Sequence, residues 1–149
     1  MEHKEHPVEA PFEYNQITDL IYLGTNACCQ TDFDAELIGK GIKADISLEG
    51  GRVDHPYGVD YYLWLPTEDH RAPNAEQLKL GVETLAFFVK NKIKVYLHCK
   101  NGHGRAPTLL AAYLVSKGML VEEAIKLLEQ KRPSVHLNDV QVAAVQSYK

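Results

Sequence analysis

The stretch VYLHCKNGHGRAPT, residues 95–108, joins a strand-like run, a glycine-containing loop and the start of an apolar segment. Val, Tyr and Leu favour a β-strand, and this run ends at His98 and Cys99. The loop then ends at Arg105, where the apolar segment begins. A strand that leads through a short loop into a helix binds anions, because backbone N–H groups and the helix dipole point at one place. The stretch therefore predicts an α/β fold with an anion site in this loop.

The residues of the loop indicate what the anion is. Arg105 can give two parallel, charge-assisted hydrogen bonds to a tetrahedral oxyanion such as phosphate. Cys99 lies at the centre, where the same positive field stabilises the thiolate, the nucleophilic form of cysteine. Glycines allow the backbone angles and the close approach that such a loop needs. We predict a phosphate site that contains a nucleophile, with these phosphate-binding residues: Lys100, Asn101, Gly102, His103, Gly104 and Arg105.

Two other interpretations of this stretch are weaker. A buried structural cysteine beside an ordinary turn would not need the glycines and the arginine at this spacing. A zinc site made of His98, Cys99 and His103 matches no common structural zinc pattern. We therefore predict no metal and no cofactor for the reaction, and we expect His98 to contact the backbone near Cys99 and to tune the thiol rather than act as a base.

Strand and helix patterns alternate on both sides of this stretch. Strand-like runs occur at 19–25, 43–48, 59–66 and 93–99, and helical patterns at 32–42, 74–91, 106–118, 121–132 and from Asn138 onward. Asn74 and Gln77 predict a capping box, and 106–118 is apolar nearly all round, which predicts a central buried helix. The alternation predicts a single three-layer α/β domain, with a mostly parallel sheet of about four to five strands flanked by helices. Its ligand is expected at the carboxyl ends of the strands.

Length and charge limit the classes of function. The chain has 149 residues, 45% of them hydrophobic, which suits one globular domain. Residues 1–13 show no periodicity and are predicted to form an N-terminal arm, with the catalytic domain at 14–149. The formal charge of −4 argues against nucleic acid as a partner. We see no apolar run long enough for a membrane span and no signal-peptide pattern, and we expect a cytoplasmic monomer.

The cysteine count adds an expectation about redox state. Three cysteines, Cys28, Cys29 and Cys99, are an odd number in a chain without a secretion pattern, so reduced thiols are expected. Either Cys28 or Cys29 could serve as a resolving thiol for oxidised Cys99. Burial of both as inert thiols is the simpler expectation.

The segment HCKNGHGR, residues 98–105, resembles the H-C-x5-R signature of the cysteine-dependent protein tyrosine phosphatase superfamily. From about residue 14 to 149, ITDLIYLGT, GIKADISL, LPTEDHRAP and LNDVQ have counterparts, in that order, in its small dual-specificity branch. The resemblance implies that Cys99 attacks a phosphate ester, that Arg105 holds the phosphoryl group, and that an aspartate protonates the leaving group. LPTEDHRAP aligns Asp69 with this acid, and Glu68 is the second candidate.

The resemblance also implies the class of substrate. Members of this branch dephosphorylate phosphotyrosine and phosphoserine or phosphothreonine proteins through a cysteinyl-phosphate, without a metal. A lysine directly after the cysteine, here Lys100, is similar to some phosphoinositide and phosphatidylglycerophosphate phosphatases, so a phospholipid substrate is the alternative. His70, Arg71 and His103 could add to recognition at the rim. The pair Asn138 and Gln141 resembles an element of the branch, although capping of the last helix explains Asn138 equally well.

Ala106 departs from the pattern of the family. Most members have Ser or Thr at this position, and its hydroxyl supports the thiolate when the phosphoenzyme breaks down. The GRAP form also occurs in plant glucan phosphatases, so a phosphoglucan substrate stays open. A phosphate-binding pseudophosphatase is the remaining alternative, and Ala106 is the only residue that supports it.

Overall fold

A mostly parallel five-stranded sheet forms the centre of the computed structural model, which describes residues 10–148. The strands are Tyr14–Gln16 (β1), Ile21–Gly24 (β2), Ile42–Glu49 (β3), Tyr61–Thr67 (β4) and Lys94–His98 (β5). Their order in the sheet is β1-β2-β5-β3-β4, and all neighbours are parallel except β1 and β2. The predicted sheet is confirmed in strand number and in direction.

Helices cover both faces of this sheet. They are Ala35–Gly39 (α1), Ala75–Lys90 (α2), Arg105–Ser116 (α3), Val121–Lys131 (α4) and Asp139–Ser147 (α5), with a short 3-10 helix at Asn26–Cys28. The central helix α3 lies against β3 and β5 and contacts α2, α4 and α5. Ten of its twelve residues are buried, as its all-round apolar sequence predicts.

Alternation along β5 divides the interior into two clusters. Val95 and Leu97 face the larger cluster under α2 to α5, whereas Tyr96 points to the opposite side and packs with Phe33 and Leu37 near α1. Successive side chains of a strand point to opposite faces, so His98 lies on the same side as Tyr96. The strand ends there, and the loop toward α3 begins at the carboxyl edge of the sheet.

Strand β1 was not predicted from the sequence. Its three residues, YNQ, are too few and too polar to show an alternating pattern. The chain just before it is also held, because the hydroxyl of Thr25 donates to the carbonyl oxygen of Pro11 at 2.7 Å. The rest of the predicted arm, residues 1–9, lies outside the described residues, so the division at residue 13 stays a prediction.

Two helices begin with the same capping arrangement. In α2 the N-cap Asn74 and Gln77 exchange side-chain and backbone hydrogen bonds, which confirms the predicted capping box. In α5 Asn138 and Gln141 do the same. Within residues 10–148 no helix has both the length and the apolar content to cross a membrane.

The expectation of three reduced thiols is wrong in this structure. Cys28 and Cys29 form a disulfide between adjacent residues, and Cys99 is the free cysteine. Cys28 ends the 3-10 helix and Cys29 follows it, and both side chains lie in the interior, where they are 1% and 0% exposed.

Candidate active site

The loop between Cys99 and Arg105 is held in place by hydrogen bonds donated to its backbone carbonyl oxygens. A peptide group is planar and points its C=O and N–H in opposite directions, so carbonyls turned outward turn the next N–H groups inward. The N–H groups of residues 101–105 therefore converge on the inside of the loop. Five hydrogen bonds hold these carbonyl oxygens. Asn26 N donates to that of Lys100 at 3.1 Å, and Arg132 donates through Nη2 to that of Asn101 at 2.8 Å and through Nε to that of Gly102 at 3.2 Å. His136 N donates to that of His103 at 2.8 Å, and Thr108 N to that of Gly104 at 2.9 Å.

Arg132 is a functional residue that sequence reasoning missed. It is 3% exposed, binds two successive loop carbonyls, and donates through Nη1 to Asn15 Oδ1 at 2.8 Å. The guanidinium fork suits this task, because it offers several donors in one fixed plane. It joins β1 to the loop. No local pattern indicates the role, since the partners lie about 30 residues and more than 100 residues away.

Geometry requires glycine at position 102, and Gly104 lies in close contact with α5. Gly102 has φ of 70°, and a Cβ there would lie 2.7 Å from the carbonyl oxygen of Gly24. An L side chain is strained at this φ, so the backbone of β2 and the turn both demand glycine. At Gly104 a Cβ would lie 2.7 Å from Gln141 Oε1. The first residues of α5 therefore touch the loop directly.

Cys99 and Arg105 lie deep in one cleft. They are 2% and 5% exposed, and Arg105 Nη1 donates to the carbonyl oxygen of Thr67 at 2.9 Å. The arginine is thereby held against the end of β4. The cleft has a volume of about 410 Å³ and is lined by Asp69, His70, Cys99, Asn101, His103, Gly104, Arg105, His136, Asn138 and Gln141.

The structure distinguishes the two candidate acids. Asp69 Oδ1 lies 3.6 Å from Arg105 Nε, and Asp69 lines the same cleft as Cys99. Glu68 instead has a side chain that is 80% exposed and lies 3.8 Å from Arg71 Nε. It borders a neighbouring depression that does not contain Cys99. The geometry therefore favours Asp69 as the acid.

The loop that carries Asp69 is positioned by α5. Asn138 Nδ2 donates to the carbonyl oxygen of His70 at 2.9 Å, and Gln141 Nε2 donates to that of Arg71 at 3.1 Å. His70 has φ of 68°, and its N–H donates to Asp69 Oδ1 at 2.9 Å. The two side chains of the α5 capping box thus also fix the acid loop. Helix capping and contact with the site are both present, where the sequence left the choice open.

The rim of the cleft carries histidines. His70, with a side chain that is 82% exposed, His103 and His136 all line it. His136 was not singled out from the sequence, because it lies in an irregular segment before α5. Lys100 lies instead in the neighbouring depression, together with Glu68 and Thr67. Arg71 has a 70% exposed side chain and points away to Glu68.

His98 faces the interior behind the loop. Its Nδ1 lies 3.3 Å from the carbonyl oxygen of Cys99, while Nε2 lies 2.7 Å from Asp54 Oδ2 and 3.0 Å from Asp45 Oδ1. Burial alone would lower the pKa of His98, but the charges of the two carboxylates and their hydrogen bonds raise it to about 10. Burial raises the pKa of Asp45, against the attraction of His98. The predicted contact with the backbone of Cys99 is present, and the tuning role stays a prediction.

Ala106 is fully buried in the first turn of α3. The nearest hydroxyl along this helix, that of Thr108, donates to the carbonyl oxygen of Gly104 at 2.6 Å. Its proton is therefore committed to the backbone. Thr108 does not replace the hydroxyl that most members of the family carry after the arginine.

The fold and this loop place the chain in the dual-specificity branch of the cysteine-dependent protein tyrosine phosphatase superfamily. Residues 21–119 match the family model described as Tc-R-P, polymorphic toxin system, DSP-PTPase phosphatase, and the chain belongs to that family.

Known proteins agree with this assignment. The chain is 31% identical over 80 residues to dual specificity protein phosphatase 5 of Rattus norvegicus, which covers 52% of this chain and 21% of that protein. It is 34% identical over 92 residues to a phosphatidylglycerophosphate phosphatase of Arabidopsis thaliana, with 58% and 39% covered. The chain thus spans well under half the length of these two relatives. The crystal structure of human DUSP28 has the same fold, with a TM-score of 0.80 at 18% identity over 90% of this chain and 94% of that one.

Proposed function

We propose that this chain hydrolyses phosphomonoesters, with phosphotyrosine and phosphoserine or phosphothreonine proteins as substrates. The observation that carries the proposal is the loop from Cys99 to Arg105, in which the carbonyls of residues 100–104 accept hydrogen bonds from other segments or from α3 and the following N–H groups therefore face inward. Such a concave array of N–H groups at a helix N-terminus binds phosphate. Cys99 lies at its base, in the cleft that Asp69 also lines.

The mechanism has two steps. The Cys99 thiolate attacks phosphorus and forms a cysteinyl-phosphate, while Asp69 gives its proton to the departing ester oxygen. The Asp69 carboxylate then takes a proton from water, which attacks phosphorus and releases Cys99 as a thiolate and inorganic phosphate. Arg105 and the loop N–H groups stabilise the phosphoryl oxygens in both transition states. No step uses a metal ion.

A phospholipid phosphate monoester is the second candidate substrate. The similarity to a phosphatidylglycerophosphate phosphatase favours it, and so does the histidine-lined rim formed by His70, His103 and His136. Donors at a rim can bind a second phosphate group of the same substrate. A protein substrate would use the rim for backbone and side-chain contacts instead.

The test is release of inorganic phosphate from phosphotyrosine and phosphoserine peptides, phosphatidylglycerophosphate, phosphoinositides and a phosphoglucan, each with the wild type and with Cys99→Ser. The wild type should release phosphate from peptides at the highest kcat/KM. Cys99→Ser should release none and still bind the peptides, because the loop remains while the nucleophile is lost. A higher kcat/KM for a lipid than for the peptides would show that a phospholipid, and not a protein, is the substrate. A wild type that binds every substrate and hydrolyses none would be a pseudophosphatase and would overturn the proposal.

A further inference from the structure

Five possible metal ligands meet in the interior, on the α1 side of the sheet. This His98 cluster consists of Cys28, Cys29, Asp45, Asp54 and His98, and its donor atoms all lie within 4.8 Å of one another. All five residues are at most 5% exposed, and none lines the cleft at Cys99. The cluster is therefore separate from the candidate active site, although His98 precedes Cys99 in sequence.

The topology explains why these residues meet. Asp45 is paired with Tyr96 and Ser47 with His98 across the parallel strands β3 and β5, so Asp45 and His98 project to the same face. The cysteines lie at the end of the 3-10 helix that follows β2, and β2 is next to β5. Cys29 Sγ lies 3.5 Å from His98 Nε2.

The hydrogen bonds of the cluster do not satisfy Asp45. An imidazole carries at most one proton at Nε2, and here that nitrogen is shared between Asp54 Oδ2 at 2.7 Å and Asp45 Oδ1 at 3.0 Å. Asp54 is the better aligned acceptor and has Arg52 Nη2 3.4 Å from its other oxygen. Neither carboxylate oxygen of Asp45 accepts a hydrogen bond among the described residues. A fully buried carboxylate that only shares one imidazole nitrogen with Asp54 is costly, so a cation or a proton at Asp45 is stabilising.

The other face of His98 has the arrangement of a metal ligand. Its Nδ1 lies 3.3 Å from the carbonyl oxygen of Cys99. Metal-binding histidines donate their second ring N–H to a backbone carbonyl or a carboxylate, which fixes the tautomer and leaves the other nitrogen free to bind the ion. With its proton on Nδ1, His98 presents the Nε2 lone pair to Asp45 and the cysteines.

We propose that the His98 cluster binds one zinc ion once the Cys28–Cys29 disulfide is reduced, with His98 Nε2, an Asp45 oxygen and the two cysteine sulfurs as ligands. Thiolate, imidazole and carboxylate are the ligands of zinc, and four of them make its usual tetrahedron. Asp54 keeps Arg52 as its partner. The zinc site rejected on sequence grounds needed Cys99 and His103, and the cluster shares only His98 with it.

The chemistry of loading balances with an external thiol as reductant. Two thiol molecules reduce the disulfide to two cysteine thiols and become one disulfide themselves. Zinc binding then releases the two thiol protons and the Nε2 proton of His98, while Nδ1 keeps its proton. Oxidation therefore removes two of the four ligands, and the site binds zinc only in the reduced protein.

The test replaces zinc by Co²⁺, which occupies the same kind of site and reports its ligands by absorption. The full chain is reduced with a phosphine, the reductant is removed, and Co²⁺ is added without oxygen. We expect one Co²⁺ per chain, intense tetrahedral d–d bands and a near-ultraviolet thiolate-to-cobalt band. Zinc should displace the spectrum in a 1:1 titration, and the oxidised chain should not give the thiolate band.

Variants identify the ligands. Cys28→Ser/Cys29→Ser should lose the thiolate band, and Asp45→Asn should weaken zinc binding at least about tenfold in a competition titration. Cys99→Ser, which removes the third thiol, should keep the wild-type spectrum. If substituted chains do not fold by circular dichroism, the comparison of reduced with oxidised wild type still decides. Binding without a thiolate band, or a band that disappears in Cys99→Ser, would overturn the proposal. None of these spectra and titrations depends on phosphatase activity.

Discussion

The two sides of the cleft are built in opposite ways. The loop from Cys99 to Arg105 begins and ends at a buried residue, and its carbonyls are bound by segments that lie before and after it in the chain. The loop with Asp69 is exposed at its tip, where the Asp69 side chain is 56% exposed, and α5 holds it through two side chains. Phosphate thus meets a fixed surface on one side, and the acid is positioned by a few contacts on the other. Substitutions that remove a chemical group should therefore change the rate of hydrolysis more than those that only displace one.

Loss of the acid should give the largest effect, and it should depend on the substrate. Asp69→Asn removes the proton donor, and general acid catalysis contributes typically about 10²–10⁴-fold. We expect a loss of that size in kcat for a phosphoserine peptide, whose alkoxide leaves poorly. With nitrophenyl phosphate, whose leaving group needs little protonation, the loss should be under about tenfold.

The neighbouring carboxylate provides the control for this comparison. Glu68→Gln makes the same chemical change at a side chain that is 80% exposed and faces Arg71, and both rates should stay near those of the wild type. Equal losses for the two substrates in Asp69→Asn would show that Asp69 acts by position or charge rather than as an acid.

Loss of the guanidinium fork should give the next effect. Arg105→Lys keeps one positive charge but cannot make two parallel hydrogen bonds. One lost charge-assisted bond is worth roughly 1.5–3 kcal/mol, so kcat/KM for nitrophenyl phosphate should fall about 10- to 100-fold. Arg71→Lys, at the exposed rim, should change it little. Wild-type rates for Arg105→Lys would exclude bidentate binding of phosphate.

An increase in kcat is expected when Ala106, on the fixed side of the cleft, is replaced by serine. The Thr108 hydroxyl does not serve the departing thiolate there, because its proton is bound to the Gly104 carbonyl. Breakdown of the cysteinyl-phosphate should then limit kcat, and the wild type should show a rapid burst of nitrophenol. Ala106→Ser should raise steady-state kcat about tenfold and reduce the burst, since one such bond is worth roughly 1.5 kcal/mol at the low end of its range, or about tenfold.

The control for Ala106 lies on the same helix. Ala112→Ser introduces a hydroxyl at another fully buried position of α3, outside the cleft. Its burst should equal that of the wild type. A wild type without a burst, or equal kcat in Ala106→Ser, would mean that the missing hydroxyl has no kinetic role.

The smallest effect should come from displacing the acid rather than removing it. Asn138→Ala and Asn74→Ala each delete an N-cap with a capping box, at a cost of about 0.5–2 kcal/mol in stability. Only Asn138 also binds the acid loop, through the carbonyl oxygen of His70. We expect matched losses in unfolding free energy, but a several-fold fall in kcat, up to about tenfold, in Asn138→Ala alone. Equal kcat in the two variants would show that α5 does not position Asp69.

The sequence predicted what depends on neighbours in the chain. The order of the strands and helices, the buried α3 and the capping box at Asn74 all follow from local patterns, and they are confirmed. The position of the loop between β5 and α3 also follows from a local pattern. The features that the sequence did not predict depend on contacts between distant segments. Arg132 meets Asn15 and the loop, both of which precede it in the chain, only once the sheet has formed.

The interior behind the loop gives the same lesson. Cys28 and Asp45 are far apart in sequence, and only the adjacent strands β2, β5 and β3 bring them to His98. The pair of cysteines could be weighed from sequence as free thiols, but their disulfide could not be anticipated from spacing. The short strand β1 was missed because its three residues carry no period.

The Arg132 contacts have a thermodynamic consequence for ligand binding. This side chain satisfies the carbonyls of Asn101 and Gly102 from inside the protein, so the loop has its shape before any anion arrives. A preorganised site spends little of its interaction energy on ordering chain segments. Phosphate, a product, should therefore enter a site that is already formed, and product should compete with substrate at every turnover. Affinity for the product and speed of release are then set by the same rigid surface.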